Sequence, residues 1–309
     1  MTMMKAVVVH QYGGPEVLTY EDVPKPSLSE GEVLIRVEAA GVNPGEAEIR
    51  AGDFAEYHTL PFILGYDIAG IIAEVARGVV DAQVGDSVYT SCDSTRNGGN
   101  AEFVAVRASE VAPRPRTLDA VHAASVPLSG LTAWQALSDA AHLAPGQKVL
   151  VHGAGGAVGS FAVQFAKVLG ASVVATASAA DLDYVREIGA DTVVDYKTQR
   201  FEDFAQDMDV VLDTVGGETG ARSFAVLKPG GLLITFSAPP DTTAAEKYGV
   251  RTHFMGVEPN AAQLGQIANL IDSDRVRTRV GLVLPLAEAR QAHERLEAGG
   301  TRGKIVLTV

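Results

Sequence analysis

The sequence predicts an α/β protein in which a doubly wound parallel sheet forms one domain and a mostly β segment forms another. Three observations carry this. Short apolar strands alternate with helix-like stretches through the middle of the chain, a strand, small-residue turn and helix follow one another at 148–167, and the first third is strand-like and rich in turns. The 309 residues allow two domains. Hydrophobic residues make up 47% and charged residues 20%, which is enough apolar surface for sizeable cores and too much for general disorder. With 25 Lys and Arg against 38 Asp and Glu, the formal charge is −13. That excess of acid disfavours broad contact with nucleic-acid phosphates or anionic lipid.

The elements are justified in order. Residues 1–10 hold one lysine before a short apolar run and no small-residue cleavage pattern, so they are read as a first strand. Val33, Ile35 and Val37 share one face of an extended segment, which predicts a half-buried antiparallel strand. Gly85-Asp86 offers a turn between Ala82-Gln83-Val84 and Ser87-Val88-Tyr89. Residues 132–141 are expected to be helical. Strands are expected at 148–151, 173–176, 192–195, 209–212 and 231–235, with helices at 181–188 and 218–227 between them. Beyond residue 272 come an extended 280–284, a helix over 286–297 and a last strand from Lys304, which are expected to return to the first domain. The single cysteine, Cys92, excludes an intrachain disulfide framework and any multi-thiolate metal site, and fits a reducing compartment. The longest uncharged stretch, 149–166, is broken by His152 and four glycines. A cytoplasmic location with no membrane partner is expected.

The most informative segment is Val151-His152-Gly153-Ala154-Gly155-Gly156-Ala157-Val158-Gly159-Ser160. A pyrophosphate needs a turn without bulky side chains, so that backbone N–H groups approach it, and it gains from the positive end of a helix dipole. Ala154-x-Gly156-x-x-Gly159 supplies that turn between a strand and a helix, as in a Rossmann dinucleotide-binding domain. A glycine-rich turn alone is also compatible with a tight strand-helix connection. NAD-selective enzymes place an acidic residue about 20 residues further on. Here the second strand ends in Ala177-Ser178-Ala179-Ala180, with no carboxylate to repel a 2′-phosphate, so NADPH is the expected cofactor and Ser178 a candidate donor to it. Tyr196 and Lys197 are further candidate contacts, Lys197 being equally an ordinary solvated lysine. Asp181 and Asp183 are read as helix caps or ribose ligands.

These residues, with Gly13-Gly14-Pro15-Glu16-Val17-Leu18, Ala40-Gly41-Val42-Asn43-Pro44, Gly65-Tyr66-Asp67-Ile68-Ala69-Gly70, Gly130-Leu131-Thr132-Ala133, Asp213-Thr214-Val215-Gly216-Gly217 and Gly303-Lys304-Ile305-Val306-Leu307, resemble the medium-chain dehydrogenase/reductase superfamily. Within it they resemble the zinc-independent quinone oxidoreductase group. The resemblance implies a chaperonin-10-like (GroES-like) catalytic domain from residues 1–127 and 281–309, a Rossmann domain over 128–280, and a homodimer joined near 252–257. It places Val215, Phe236 and Ser237 with the turn among the cofactor contacts, and Thr132 near the nicotinamide. Zinc-dependent relatives carry ligands in the segments matching Asn43 and Tyr66. Neither residue normally binds zinc, and the cysteine-rich lobe is missing, so no metal is expected.

Without a metal to polarise an alcohol, reduction of a quinone or an α,β-unsaturated carbonyl is the better chemistry. The developing enolate or quinol oxygen needs hydrogen-bond donors, and Asn43 and Tyr66 are the candidates. Alternatively, Asn43 fixes the turn before Pro44 and Tyr66 packs a cleft wall. Glu46 is read as a possible cleft hydrogen-bonder and Glu48 as a solvated charge. Water, the ribose hydroxyl, Tyr66 and Tyr57 are unranked as proton donors. The competing readings are a reductase of an enoyl thioester or biosynthetic intermediate, and a catalytically idle NADPH-binding sensor or structural protein.

Overall fold

The computed structural model describes residues 2–309. The chain divides into two compact units. One comprises Met1–Leu128, Glu258–Asp274 and Thr278–Val309, and the other Ser129–Val257 and Arg275–Arg277.

In the first unit the strand Glu32–Val42 is central. It pairs antiparallel with Asp67–Val75, with Phe103–Arg107 and with the C-terminal strand Lys304–Thr308. Sequence alternation predicts a half-buried strand here. Val33, Leu34 and Ile35 are instead all fully buried, because neighbours on both edges and packing on both faces cover it. The sheet continues outward to Val280–Pro285 on one side and to Ser87–Ser91 and Ala112–Pro113 on the other. A smaller sheet joins Leu18–Pro24, Met3–Val9 and Phe62–Ile63. The residues before Gly85 form no strand; the carboxylate of Asp86 accepts from the backbone N–H of Gln83 and closes the turn locally.

The helix Ala261–Asp272 also belongs to this unit, whereas the family resemblance assigned it to the cofactor domain. Its buried face is Leu264, Ile267, Ala268 and Ile271, and the Tyr89 hydroxyl donates to the Leu264 carbonyl at 2.6 Å.

The second unit is a six-stranded parallel sheet in the order Thr192–Asp195, Ser172–Ala177, Lys148–His152, Met208–Asp213, Leu227–Thr235, Arg251–Phe254. Strand order reverses between Lys148–His152 and Met208–Asp213, and ligands bind open α/β sheets at the carboxyl ends around such a switch point. Val149, Leu150 and Val151 are wholly buried, and each such side chain gains about 1.5–3 kcal/mol from burial. The expected helix after Gly130 is present as Pro127–Trp134, continuing as a π-helical turn over Gln135–Ala140. Among the described residues no helix is long and apolar enough to cross a membrane.

Candidate active site

Sheet register builds a buried polar cluster in the first unit. Ile305 pairs with Val42, which brings Lys304 to Asn43, and Gly41 pairs with Asp67. Gly41 must lack a side chain: a Cβ there would lie 2.9 Å from Lys304 Cε and 3.0 Å from Asp67 Cβ, and would overlap the Ala124 carbonyl. Asn43 ends the strand and begins the helix Pro44–Ala51, whose third residue is Glu46. Glu46 Oε1 accepts from the Asn43 backbone N–H at 3.1 Å and from Asn43 Nδ2 at 3.0 Å. Asn43 Nδ2 also donates to Asp67 Oδ2 at 3.1 Å. The Lys304 ammonium donates to Asn43 Oδ1 and, at 2.6 Å, to Asp67 Oδ2, while Asp67 Oδ1 accepts from the Leu128 N–H at 2.6 Å. Both amide hydrogens of Asn43 are thereby engaged by carboxyl oxygens, so its amide is a strut within the cluster.

Tyr66 precedes Asp67 and is 4% exposed, and its hydroxyl has no hydrogen-bond partner. Burial, reinforced by the nearby Glu46 charge, pushes the phenol well above its ordinary range. It is a neutral O–H donor held ready. Burial likewise pushes the Glu46 carboxyl up to about 7, against the opposing pull of the Asn43 hydrogen bond and the Lys304 charge. Tyr57, a candidate proton source in the sequence, lies exposed on the 3-10 turn Ala55–Tyr57.

In the second unit, the turn after Lys148–His152 has Gly153 in the left-handed region at φ +70°. Ala154 N–H donates to the Thr176 carbonyl and Gly156 N–H to the Gly153 carbonyl, both at 2.9 Å. A Cβ at Gly159 would overlap the Gly153 carbonyl and sit 2.8 Å from Ala154 Cα, so the helix Ala157–Val168 packs on the turn only through a glycine. Gly156 starts that helix with no side-chain cap, and Ala157 and Val158 present the uncapped first turn. An anion suits this end.

The segment after the strand Ser172–Ala177 places Asp181 beside the turn. Residues Ala179–Asp181 form a 3-10 turn that folds the Asp181 carboxylate back, so that a Cβ on Gly155 would lie 2.9 Å from Asp181 Cγ. Ser178 Oγ donates to Asp181 Oδ2 at 2.8 Å. The Asp181 carboxylate, left open in the sequence between helix cap and ribose ligand, thus lies near the turn, and the Ser178 hydroxyl is engaged with it.

Tyr196 is 58% and Val215 55% exposed at the carboxyl ends of their strands, with Lys197 exposed beside Tyr196. Asp213 Oδ1 accepts from the N–H groups of Val215 and Gly216, each at 2.9 Å, and shapes that loop. A cavity of about 200 Å³ opens there, lined by Asp213, Gly216, Thr235 and Ser237, with Phe236 half-buried between the last two. His152 is buried between Thr176 Oγ1 at 3.1 Å and Ser223 Oγ at 2.9 Å, and burial lowers its proton affinity to about 4. It is a neutral packing residue. Thr132 is buried in the same unit, on the helix Pro127–Trp134.

The sequence singles out the turn, Asn43 and Tyr66 as candidates, and does not show Lys304 and Asp67 as the partners of Asn43. The spacing Asn43-x-x-Glu46 at a helix start was the available signal for part of the cluster.

Residues 29–116 match the alcohol dehydrogenase GroES-like domain, and residues 188–307 match the zinc-binding dehydrogenase family. The chain is 34% identical to the quinone oxidoreductase of Rattus norvegicus, over 99% of this chain and 98% of the rat protein. It is 35% identical to the chloroplastic NADPH-dependent alkenal/one oxidoreductase of Arabidopsis thaliana, over 98% of this chain and 79% of that one. The solved structure of the quinone oxidoreductase from Coxiella burnetii superposes with a TM-score of 0.93 at 32% identity, covering 100% of both chains. This chain is an oxidoreductase belonging to the quinone oxidoreductase group of the medium-chain dehydrogenase/reductase superfamily.

Proposed function

We propose that the protein is an NADPH-dependent, zinc-independent reductase of quinones or α,β-unsaturated carbonyl compounds. The observation that carries this reading is the buried, unpartnered and neutral hydroxyl of Tyr66, set beside a polar cluster whose other donors are already spent. The names of the rat and Arabidopsis relatives support the substrate class and the cofactor.

A dinucleotide fits the second unit. Ala154, Gly155, Gly156 and Gly159 leave the turn bare of bulk, and the N–H groups of Ala157 and Val158 at the helix start would hold the pyrophosphate. Val215, Phe236 and Ser237 would border it at the carboxyl ends of the later strands. The chemistry such a cofactor supplies is two-electron hydride donation to an electron-poor carbon or quinone. The protein's part is to stabilise the negative charge that then develops on the substrate oxygen. Tyr66 Oη–H is suited to that work, because its high proton affinity keeps it a donor and its burial strengthens the bond it forms.

The donor set does not fit a zinc ion. Asn43 Oδ1 and Asp67 Oδ2 both accept from the Lys304 ammonium, so a cation already occupies the ground that a dication would need, and Tyr66 offers a protonated phenol.

The test is titration of the purified protein with NADPH and with NADH, followed by cofactor oxidation in the presence of quinones, enones and enoyl thioesters. Turnover of quinones or enones is expected, with Tyr66→Phe lowering kcat about a hundredfold while KM changes little. Turnover confined to enoyl thioesters, or a Tyr66→Phe variant with unchanged kcat, overturns the reading.

A further inference from the structure

Glu46 is 1% exposed, and while its Oε1 is bound twice by Asn43, its Oε2 is fully shielded and has no partner. Two carboxyl groups, Glu46 and Asp67, flank the Asn43 amide, and the cation Lys304 bonds Asn43 Oδ1 and the carboxylate of Asp67. The Lys304–Asp67 ion pair is balanced by itself. A second buried carboxylate would add an uncompensated charge, which is costly unless the group keeps its proton. The other titratable groups that face Glu46 do not supply a cation: Tyr66 and Cys92 are neutral, and burial keeps the proton on each. The helix Ala289–Ala298 packs on Pro44–Ala51 through His293 and Glu297, which meet Arg50.

We infer that Glu46 is a positioning residue that supports reduction only as the neutral acid, its proton on Oε2 keeping negative charge away from Tyr66 while the substrate oxygen gains charge. This deepens the reductase reading above and rests on it. When Glu46 ionises, its negative charge acts on Tyr66, and the interaction that stabilised the developing oxyanion is opposed by like charge. The position of its titration, raised to about 7 by burial, puts this loss within an assayable range. The sign is fixed by the chemistry: kcat is highest where Glu46 is protonated and falls as pH rises through that value.

Two measurements test this. The first needs no substrate: infrared difference spectra of the whole protein, titrated between about pH 5 and 9, wild type against Glu46→Gln. A protonated-carboxyl C=O band that disappears near neutrality in the wild type and is missing from the variant is expected. Its absence from the wild type overturns the inference whatever the enzyme reduces. The second is the pH profile of kcat with whichever quinone or enone is turned over. The wild type is expected to lose about tenfold in kcat per pH unit on the alkaline side, and Glu46→Gln, which keeps the shape and can hold no charge, to lose that dependence. A Glu46→Gln profile that still falls like the wild type overturns the inference. If neither protein reduces anything in the panel while the infrared band titrates as expected, the reductase reading fails, and with it the catalytic part of this inference.

Discussion

Replacing Lys304 with methionine removes the ammonium from the buried cluster and keeps most of the volume of its stem. Lys304 is 4% exposed and Asp67 is wholly buried, so solvent cannot take the place of the lost charge. Asp67 keeps its bonds from the Leu128 N–H and from Asn43 Nδ2, but its carboxylate loses the cation at 2.6 Å, and Asn43 Oδ1 loses a donor. Removing one member of a buried pair costs about 3–5 kcal/mol, most of it the penalty of an uncompensated charge. The two surviving bonds to Asp67 place this case at the lower end, about 3 kcal/mol. For a unit of this size that corresponds to a fall in Tm of roughly 6–12 °C. The assay is denaturant and thermal unfolding of Lys304→Met, Asp67→Asn and the double variant. The double variant removes both charges, and is expected to be less destabilised than the sum of the singles by at least about 1 kcal/mol. A loss below about 1 kcal/mol in Lys304→Met is what an exposed pair would give. That result, or strict additivity in the double variant, refutes the argument that the cluster is dry and charge-paired.

Other outcomes follow from the second unit. Gly159→Ala puts a Cβ onto the Gly153 carbonyl, so the phosphate turn must shift, and calorimetry is expected to show NADPH binding weakened by about tenfold or more; unchanged affinity would remove the turn from the cofactor site. The His152 imidazole has its proton affinity lowered from 6.5 to about 4, so the unfolded chain binds a proton that the folded one refuses. Stability is therefore expected to be fully present above about 6.5 and to fall by roughly 3 kcal/mol as pH drops through 4, a slope in denaturant midpoint that His152→Gln should flatten. Asp181→Asn removes the carboxylate packed on Gly155 and is expected to shift the ratio of NADPH to NADH affinity by about three- to tenfold toward NADPH. An unchanged ratio would show that Asp181 serves the turn and not the cofactor's ribose.

What could be read in the sequence was whatever is local. The phosphate turn is legible because strand, small residues and helix adjoin in the chain, and the physics that requires glycine at Gly159 acts over only six residues, back to Gly153. Five strands of the parallel sheet are legible because each carries a short apolar run followed by a helix or turn, whereas the edge strand Arg251–Phe254 is polar and mostly exposed and shows no such run. The candidate site was half legible for the same reason. Asn43 and Glu46 are three residues apart at a helix start, a spacing that local capping geometry explains. Lys304 is 261 residues from Asn43, and only the antiparallel register of the last strand against Glu32–Val42 brings them together. Nothing in a lysine opening an apolar strand distinguishes a solvated cap from a buried ion-pair partner; the difference lies in what the sheet places opposite it. Asp181 stayed open between helix cap and ribose ligand for a reason of shorter range, because a 3-10 turn sets which way a carboxylate four residues past a strand end points. The charge state of the cluster follows from the same long-range pairing. The sequence marks Glu46 as a hydrogen-bonder within a cleft but says nothing of its charge until Asp67 and Lys304 are seen to balance each other beside it, and the proton it then keeps is a property of the assembled sheet, not of any segment of the chain.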